Sequence, residues 1–123
     1  MSDTAETIDA YLQAYGEPDP TARRTLIEQA WASDGELVDP PMDATGHDAI
    51  DEMFAAVQGS FAGHRFRRAT GIDEHHGTAR YGWDLVAPDG SVTLAGTDVA
   101  TFDDAGRLAR VTGFFGDLPP LDG

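Results

Sequence analysis

LAGTDVATFDDAGRLARVTGFF, Leu94 to Phe115, reads as two strands joined by a tight turn. Thr93, Ala95, Thr97, Val99 and Thr101 alternate with Leu94, Gly96, Asp98, Ala100 and Phe102. A strand sends alternate side chains to opposite faces. One face is then small and partly polar. The other carries Leu94 and Phe102 with a single carboxylate, Asp98, between them. Asp103-Asp104-Ala105-Gly106 supplies the turn, with a glycine where positive φ is wanted. The second strand brings Leu108, Val111, Phe114 and Phe115. Function turns on whether Asp98 faces an apolar pocket or lies on an open sheet surface.

Working back from this pair, two more strands are expected, His64 to about His75 and Thr78 to Ala87, with turns at His76-Gly77 and Pro88-Asp89-Gly90. Three helices precede them. Asp3 and Glu6 look like a capping arrangement, and Ile8, Tyr11, Leu12 and Tyr15 follow at helical spacing. Asp19-Pro20 restarts a second helix whose buried stripe is Ala22, Leu26, Ile27, Ala30 and Trp31, ended by Ser33-Asp34-Gly35. Glu36 to Pro41 reads as a short edge strand entering a rigid loop. Thr45 caps a third helix with Ile50, Met53, Phe54, Val57 and Phe61 as its core face, closed by Gly63. Residues 1–123 thus form one domain, and Gly116 to Gly123 is a short tail. The order is α+β: three N-terminal helices packed on a curved, mainly antiparallel sheet, with room for a pocket between the layers.

Composition narrows the function classes. The chain has 123 residues, enough for a real core. Its net charge of −14 repels phosphate backbones and anionic lipid, so nucleic acid and membranes are poor partners. The cluster Arg65, Arg67, Arg68 reads as a solvated strand face. No stretch approaches the roughly 20 apolar residues of a membrane span. The acidic, amphipathic start is unlike a signal peptide, and a cytoplasmic location is expected. There is no cysteine, lysine or asparagine. That removes thiol nucleophiles, Schiff-base chemistry and an asparagine oxyanion hole, and no GxSxG elbow is present. Carboxylates, histidines, tyrosines, arginines and water remain for chemistry.

Trp31-Ala-Ser-Asp-Gly-Glu-Leu-Val-Asp39-Pro40 resembles the end of the second helix and the following strand of ketosteroid isomerases. Thr97-Asp98-Val-Ala-Thr-Phe-Asp-Asp-Ala-Gly106 resembles their later strand, Tyr11-Leu-Gln-Ala their first helix, and Gly106-Arg107-Leu through Phe-Phe-Gly116 their last strand. The similarity runs in order over nearly the whole chain. It implies the nuclear-transport-factor-two-like superfamily, a cone of three helices against a curved sheet that also includes SnoaL-like polyketide cyclases and limonene epoxide hydrolases. There are departures. The stretch between Tyr15 and Trp31 is about one helical turn longer than the ketosteroid isomerase pattern, so Tyr15 competes with Tyr11. The epoxide hydrolase pattern wants an arginine two residues before its strand aspartate, where this chain has Gly96.

The resemblance implies cofactor-free acid–base chemistry on a small apolar carbonyl compound. Asp39, on a proline-flanked loop near water, would be the base, with Tyr11 and a protonated, buried Asp98 as donors to an enolate oxygen. One such donor is worth about 10²–10³ in rate. Tyr15, Trp31, Phe54, Val57, Phe61, Tyr81, Trp83 and Phe115 are the expected substrate-binding residues, and each aromatic also reads as plain core. A non-catalytic binder of an apolar ligand in the same fold is the alternative. No metal site is expected. His75 and His76 point to opposite faces, a poor chelate, whereas His47 and His64 lie where they could approach the Asp39 loop and the pocket rim. The small, threonine-rich outer face predicts a homodimer formed sheet to sheet.

Overall fold

The computed structural model describes residues 3–122. The side chain of Asp3, and with it the capping reading, lies outside the described residues, as do Met1, Ser2 and Gly123 of the expected 1–123 domain. Helix α1 (Asp3–Tyr15) buries the stripe that its spacing foretells, Ile8, Tyr11, Leu12 and Tyr15. Helix α2 (Pro20–Ala30) begins at Asp19, whose side chain accepts from the Ala22 N–H at 2.8 Å. Arg23 is buried in this helix and donates to Asp51 Oδ1 at 2.6 Å, tying α2 to helix α3 (His47–Ser60).

Between α2 and α3 the chain departs from the sequence reading. Trp31 does not extend the second helix. The helix stops at Ala30, and Trp31 opens strand β1 (Trp31–Asp39), paired with Leu108. Ser33-Asp34-Gly35 is an irregularity within β1 rather than a helix end: the register shifts between Trp31 and Glu36. A Cβ on Gly35 would stand 2.6 Å from Trp31 Cε3, so the bulge closes over the indole only with glycine there. Nor is β1 an edge strand. Pro40-Pro41 turns it into strand β2 (Met42–Thr45), which takes the edge. Thr45 therefore ends a strand, and the N-cap of α3 is Gly46, at φ 88° with its N–H on Gly35 O. Of the expected core face of α3, Ile50, Met53 and Phe54 are buried and Val57 is half-buried. The helix ends before Phe61, which is exposed.

The single strand expected over 64–75 is two, β3 (Arg65–Arg68) and β4 (Asp73–His75). The chain loops away between them, where Thr70 accepts from the Gly82 N–H at 2.8 Å. Strands β5 (Thr78–Val86), β6 (Val92–Phe102) and β7 (Leu108–Phe115) run as the alternation predicts. The seven-stranded sheet has the order β2-β1-β7-β6-β5-β3, with β4 also on β5. All pairs are antiparallel except β1 with β7. Three helices on a mixed, open sheet make this an α+β fold. No helix among the described residues is long and apolar enough to cross a membrane.

Candidate functional site

Four neighbouring strands place one residue each in a row across the middle of the sheet. Val38 of β1 pairs with Thr112 of β7, which brings Asp39 level with Gly113. Gly113 pairs with Asp98 of β6, and Asp98 with Tyr81 of β5. Residues level with one another on adjacent strands share a face, so the row reads Asp39, Gly113, Asp98, Tyr81. Gly113 is what lets the carboxylates meet. A Cβ there would overlap Asp39 Oδ1 and come within 3.1 Å of Asp98 Oδ1. Both oxygens fill the space a side chain would occupy.

Helix α1 lies over this row. Tyr15 donates its hydroxyl to Asp39 Oδ2 at 2.6 Å, and Tyr81 donates to Asp98 Oδ2 at 2.9 Å. Asp39 is 8% exposed and Asp98 1%. No ion pair with either is formed among the described residues. A buried carboxylate without a counter-charge is driven towards its neutral form. Burial accordingly pushes Asp98 up to about 7. The Tyr81 bond opposes the rise and the charge of Asp39 adds to it. Burial also raises Asp39, by less, with the Tyr15 bond opposing. The sequence reading had Asp39 on a loop near water. It is the buried last residue of β1, though still the less buried of the two. Burial first, and then the nearby carboxylates, hold the hydroxyls of Tyr11, Tyr15 and Tyr81 far above the ordinary tyrosine range, so all three remain donors. The Trp83 indole also helps to hold Asp98 down. Its Nε1 is buried, with no partner at full hydrogen-bond geometry among the described residues.

The raised Asp98 has a consequence for stability. Folded protein keeps this proton up to about pH 7, whereas the unfolded chain loses it near 4. The folded state thus binds the extra proton over that window. The contribution is fully present below the unfolded pKa and is lost as pH rises through about 7. Chemical denaturation of the parent should show a stability decline of up to a few kcal/mol from pH 4 to 8 that D98N largely removes. An equal decline in D98N would place its cause elsewhere.

Both carboxylates open onto a cavity of about 200 Å³. Tyr11 and Tyr15 line it together, which answers the competition between them. Val57, Phe61, Trp83 and Phe115 line it too, with Leu12, Pro41, Met42, Phe66, Leu85 and Leu94. Three expected binding residues are not among its lining residues, because each supports a residue that is. Trp31 meets Tyr11 edge-on at 5.3 Å, Phe54 stacks on Tyr15 at 4.3 Å, and Tyr81 is spent on Asp98. Strand parity put Leu94 on the face of Asp98, and could also have pointed to Phe66, which alternates with Arg65 and Arg67. Gly113 carried no signal, because its role arises only when three strands assemble.

The histidines stand apart from the site. His47 Nε2 lies 2.9 Å from Trp31 O, and His64 Nε2 3.0 Å from Thr93 Oγ1. His75 and His76 contact each other at a turn, with His76 at φ 51°. No group of three or more His, Asp or Glu side chains is arranged as a metal site among the described residues.

No family model matches the sequence, and no curated protein matches it closely. Solved structures do. A candidate isomerase of the SnoaL-like family from Agrobacterium tumefaciens is 37% identical, with TM-score 0.87, over 95% of this chain and 100% of that one. An NTF2-like protein from Exiguobacterium shares the fold at 22% identity and TM-score 0.68, over 91% of this chain and 99% of that one. A candidate polyketide cyclase from Sinorhizobium meliloti does so at 20% identity and TM-score 0.68, over 89% and 94%. With that fold, and identity of this level along the whole Agrobacterium chain, the protein belongs to the SnoaL-like family.

Proposed function

We propose that this chain is a cofactor-free enzyme that moves a proton on a compact apolar carbonyl compound, and that it works in the cytoplasm. The convergence of Asp39 and Asp98 on one apolar cavity carries this reading. Asp39 takes the proton from the carbon beside the carbonyl. The electron pair moves onto the carbonyl oxygen, which Tyr11 and protonated Asp98 stabilise as donors. Asp39 then returns its proton, to the same carbon or to one conjugated with it, which completes an isomerisation. Tyr15 holds the base in place. The same enolate could instead attack a second carbonyl in an aldol cyclisation. Candidate isomerase and candidate cyclase are also the descriptions of the Agrobacterium and Sinorhizobium proteins.

Size limits the substrate. A cavity near 150 Å³ holds one benzene, and this one is about 200 Å³. One ring with short substituents fits, which favours small cyclic or aryl ketones over four-ring steroids. The test is exchange of the ketone's α-protons in deuterated water, followed by NMR. Exchange that saturates with ketone supports the enzyme. A ketone that raises the melting temperature but never exchanges leaves an apolar-ligand binder of the same fold.

The outer face of β6, with Thr93, Ala95, Thr97 and Val99 exposed beside Phe114 on β7, suits a second copy of the sheet. We expect a homodimer that tightens as salt screens the charge of −14. Sedimentation at high micromolar concentration should find it, and a monomer at physiological salt would refute it.

A further inference from the structure

We propose that Tyr81 is the positioning residue for Asp98: its hydroxyl, held on Oδ2, keeps the proton that Asp98 donates on Oδ1. The inference rests on the acid–base reading of this site and gives a part in it to a residue outside the cavity. Tyr81 is 2% exposed and is not among the residues that line the cavity. Register brings it to Asp98. The two are direct partners across β5 and β6, and side chains so paired share a face and touch. The bond runs from the phenol to Oδ2 at 2.9 Å. In a neutral carboxyl group the carbonyl oxygen is the better acceptor, so Oδ2 keeps the double bond and Oδ1 carries the proton. Oδ1 is the oxygen beside Gly113, 3.1 Å from where a Cβ would stand there, and Asp39 Oδ1 borders the same space. Donor and base thus face one place, as proton abstraction and enolate stabilisation on a single small molecule require.

The same bond sets the upper pH at which the site works. The groups that face Asp98 are Tyr81 and Trp83 of β5, Tyr11 of α1 and Asp39 of β1, while β7 presents Gly113, which has no side chain. None of them is cationic. Burial raises Asp98 and Tyr81 opposes the rise most; Asp39 adds to it, and Trp83 and Tyr11 oppose it less. A hydrogen bond to the charged form favours that form, so Tyr81 keeps Asp98 a stronger acid than its burial alone would leave it. Tyr11 and Trp83 line the cavity, and replacing either alters ligand contacts as well. Tyr81 can lose its hydroxyl without any change in the cavity lining.

Tyr81→Phe tests this, since it removes one oxygen and keeps the ring. By carbon-13 NMR the Asp98 carboxyl should titrate about one pH unit or more higher in Y81F than in the parent. Exchange of a ketone's α-protons needs Asp98 protonated and Asp39 ionised, so its rate falls on both sides of an optimum. Y81F should move the alkaline fall upward with Asp98 and leave the acid fall in place. Y15F is the reciprocal variant. It takes a bond from Asp39, and should move the acid fall upward and leave the alkaline one. Loosened packing would not sort the two limbs in this way. The proposal is overturned if folded Y81F titrates Asp98 where the parent does, or if its alkaline fall stays put. Should Y81F not fold, the parent still answers. The ring carbon of Tyr81 that bears the oxygen should shift as Asp98 titrates at about 7, and a carbon that ignores that titration overturns the proposal. If no ketone exchanges in the parent, the acid–base reading fails, and the carboxyl titration alone then decides whether Tyr81 governs Asp98.

Discussion

Replacing Asp39 by alanine is expected to slow α-proton exchange of a bound ketone by about 10²–10⁴, the usual worth of a positioned general base. Ligand affinity should change little. Asp39 is one contact among many apolar ones in the cavity, and the uncharged ketone gains nothing from its charge before the proton moves. Asp39→Ala also strips Tyr15 of its partner at 2.6 Å, and an orphaned buried hydroxyl destabilises by about 1–3 kcal/mol. D39N separates the two effects: the amide oxygen still accepts from Tyr15, but the base is gone. Both variants should lose exchange alike, whereas the loss of melting temperature should be confined to D39A. Exchange surviving in D39N would remove Asp39 from the chemistry.

Gly113→Ala is expected to do comparable damage from a residue with no functional group. The new methyl would overlap Asp39 Oδ1 and press on Asp98 Oδ1 at 3.1 Å. Gly113 is buried in mid-strand, between β1 and β6, so the backbone has little freedom to yield. Overpacking of this kind costs about 1–3 kcal/mol of stability. The larger effect falls on the site, because displacing a base by about 1 Å can cost 10²-fold in rate. Kinetics of exchange and a melting curve on the same sample measure both. An alanine variant as active as the parent would mean that the two carboxylates do not need their present spacing.

The fold and the site were legible in the sequence to different depths. The β5 to β7 meander could be read because alternation and glycine turns are local signals, and β6 kept its parity from Leu94 to Ala100: Asp98 is buried while Thr97 and Val99 are exposed. The region from Trp31 to Thr45 could not be read as well. Trp31 continues the helical spacing of Ile27 and Ala30, yet pairing with Leu108 draws it into a strand. Tertiary contact overrode the local preference there. Two prolines after Asp39 looked like the end of regular structure, when they turn β1 into a further strand. Asp39 was thus found by resemblance but placed too near water. The role of Gly113 was invisible, since it is defined by what the neighbouring strands bring up to it. Tyr15 was seen as a rival to Tyr11, whereas both line the cavity, Tyr11 beside Asp98 and Tyr15 bonded to Asp39.

The proposed reaction needs two neighbouring carboxyl groups with different affinities for a proton, one able to donate a hydrogen bond while the other acts as base. Carbon-13 NMR of the aspartate side-chain carboxyls, followed from pH 3 to 9, reads this directly, with D39N and D98N assigning the two signals. Asp98 should titrate at about 7, and Asp39 at a lower pH that is still above the ordinary aspartate range. Asp98 titrating together with the surface carboxylates near 4 would contradict the account.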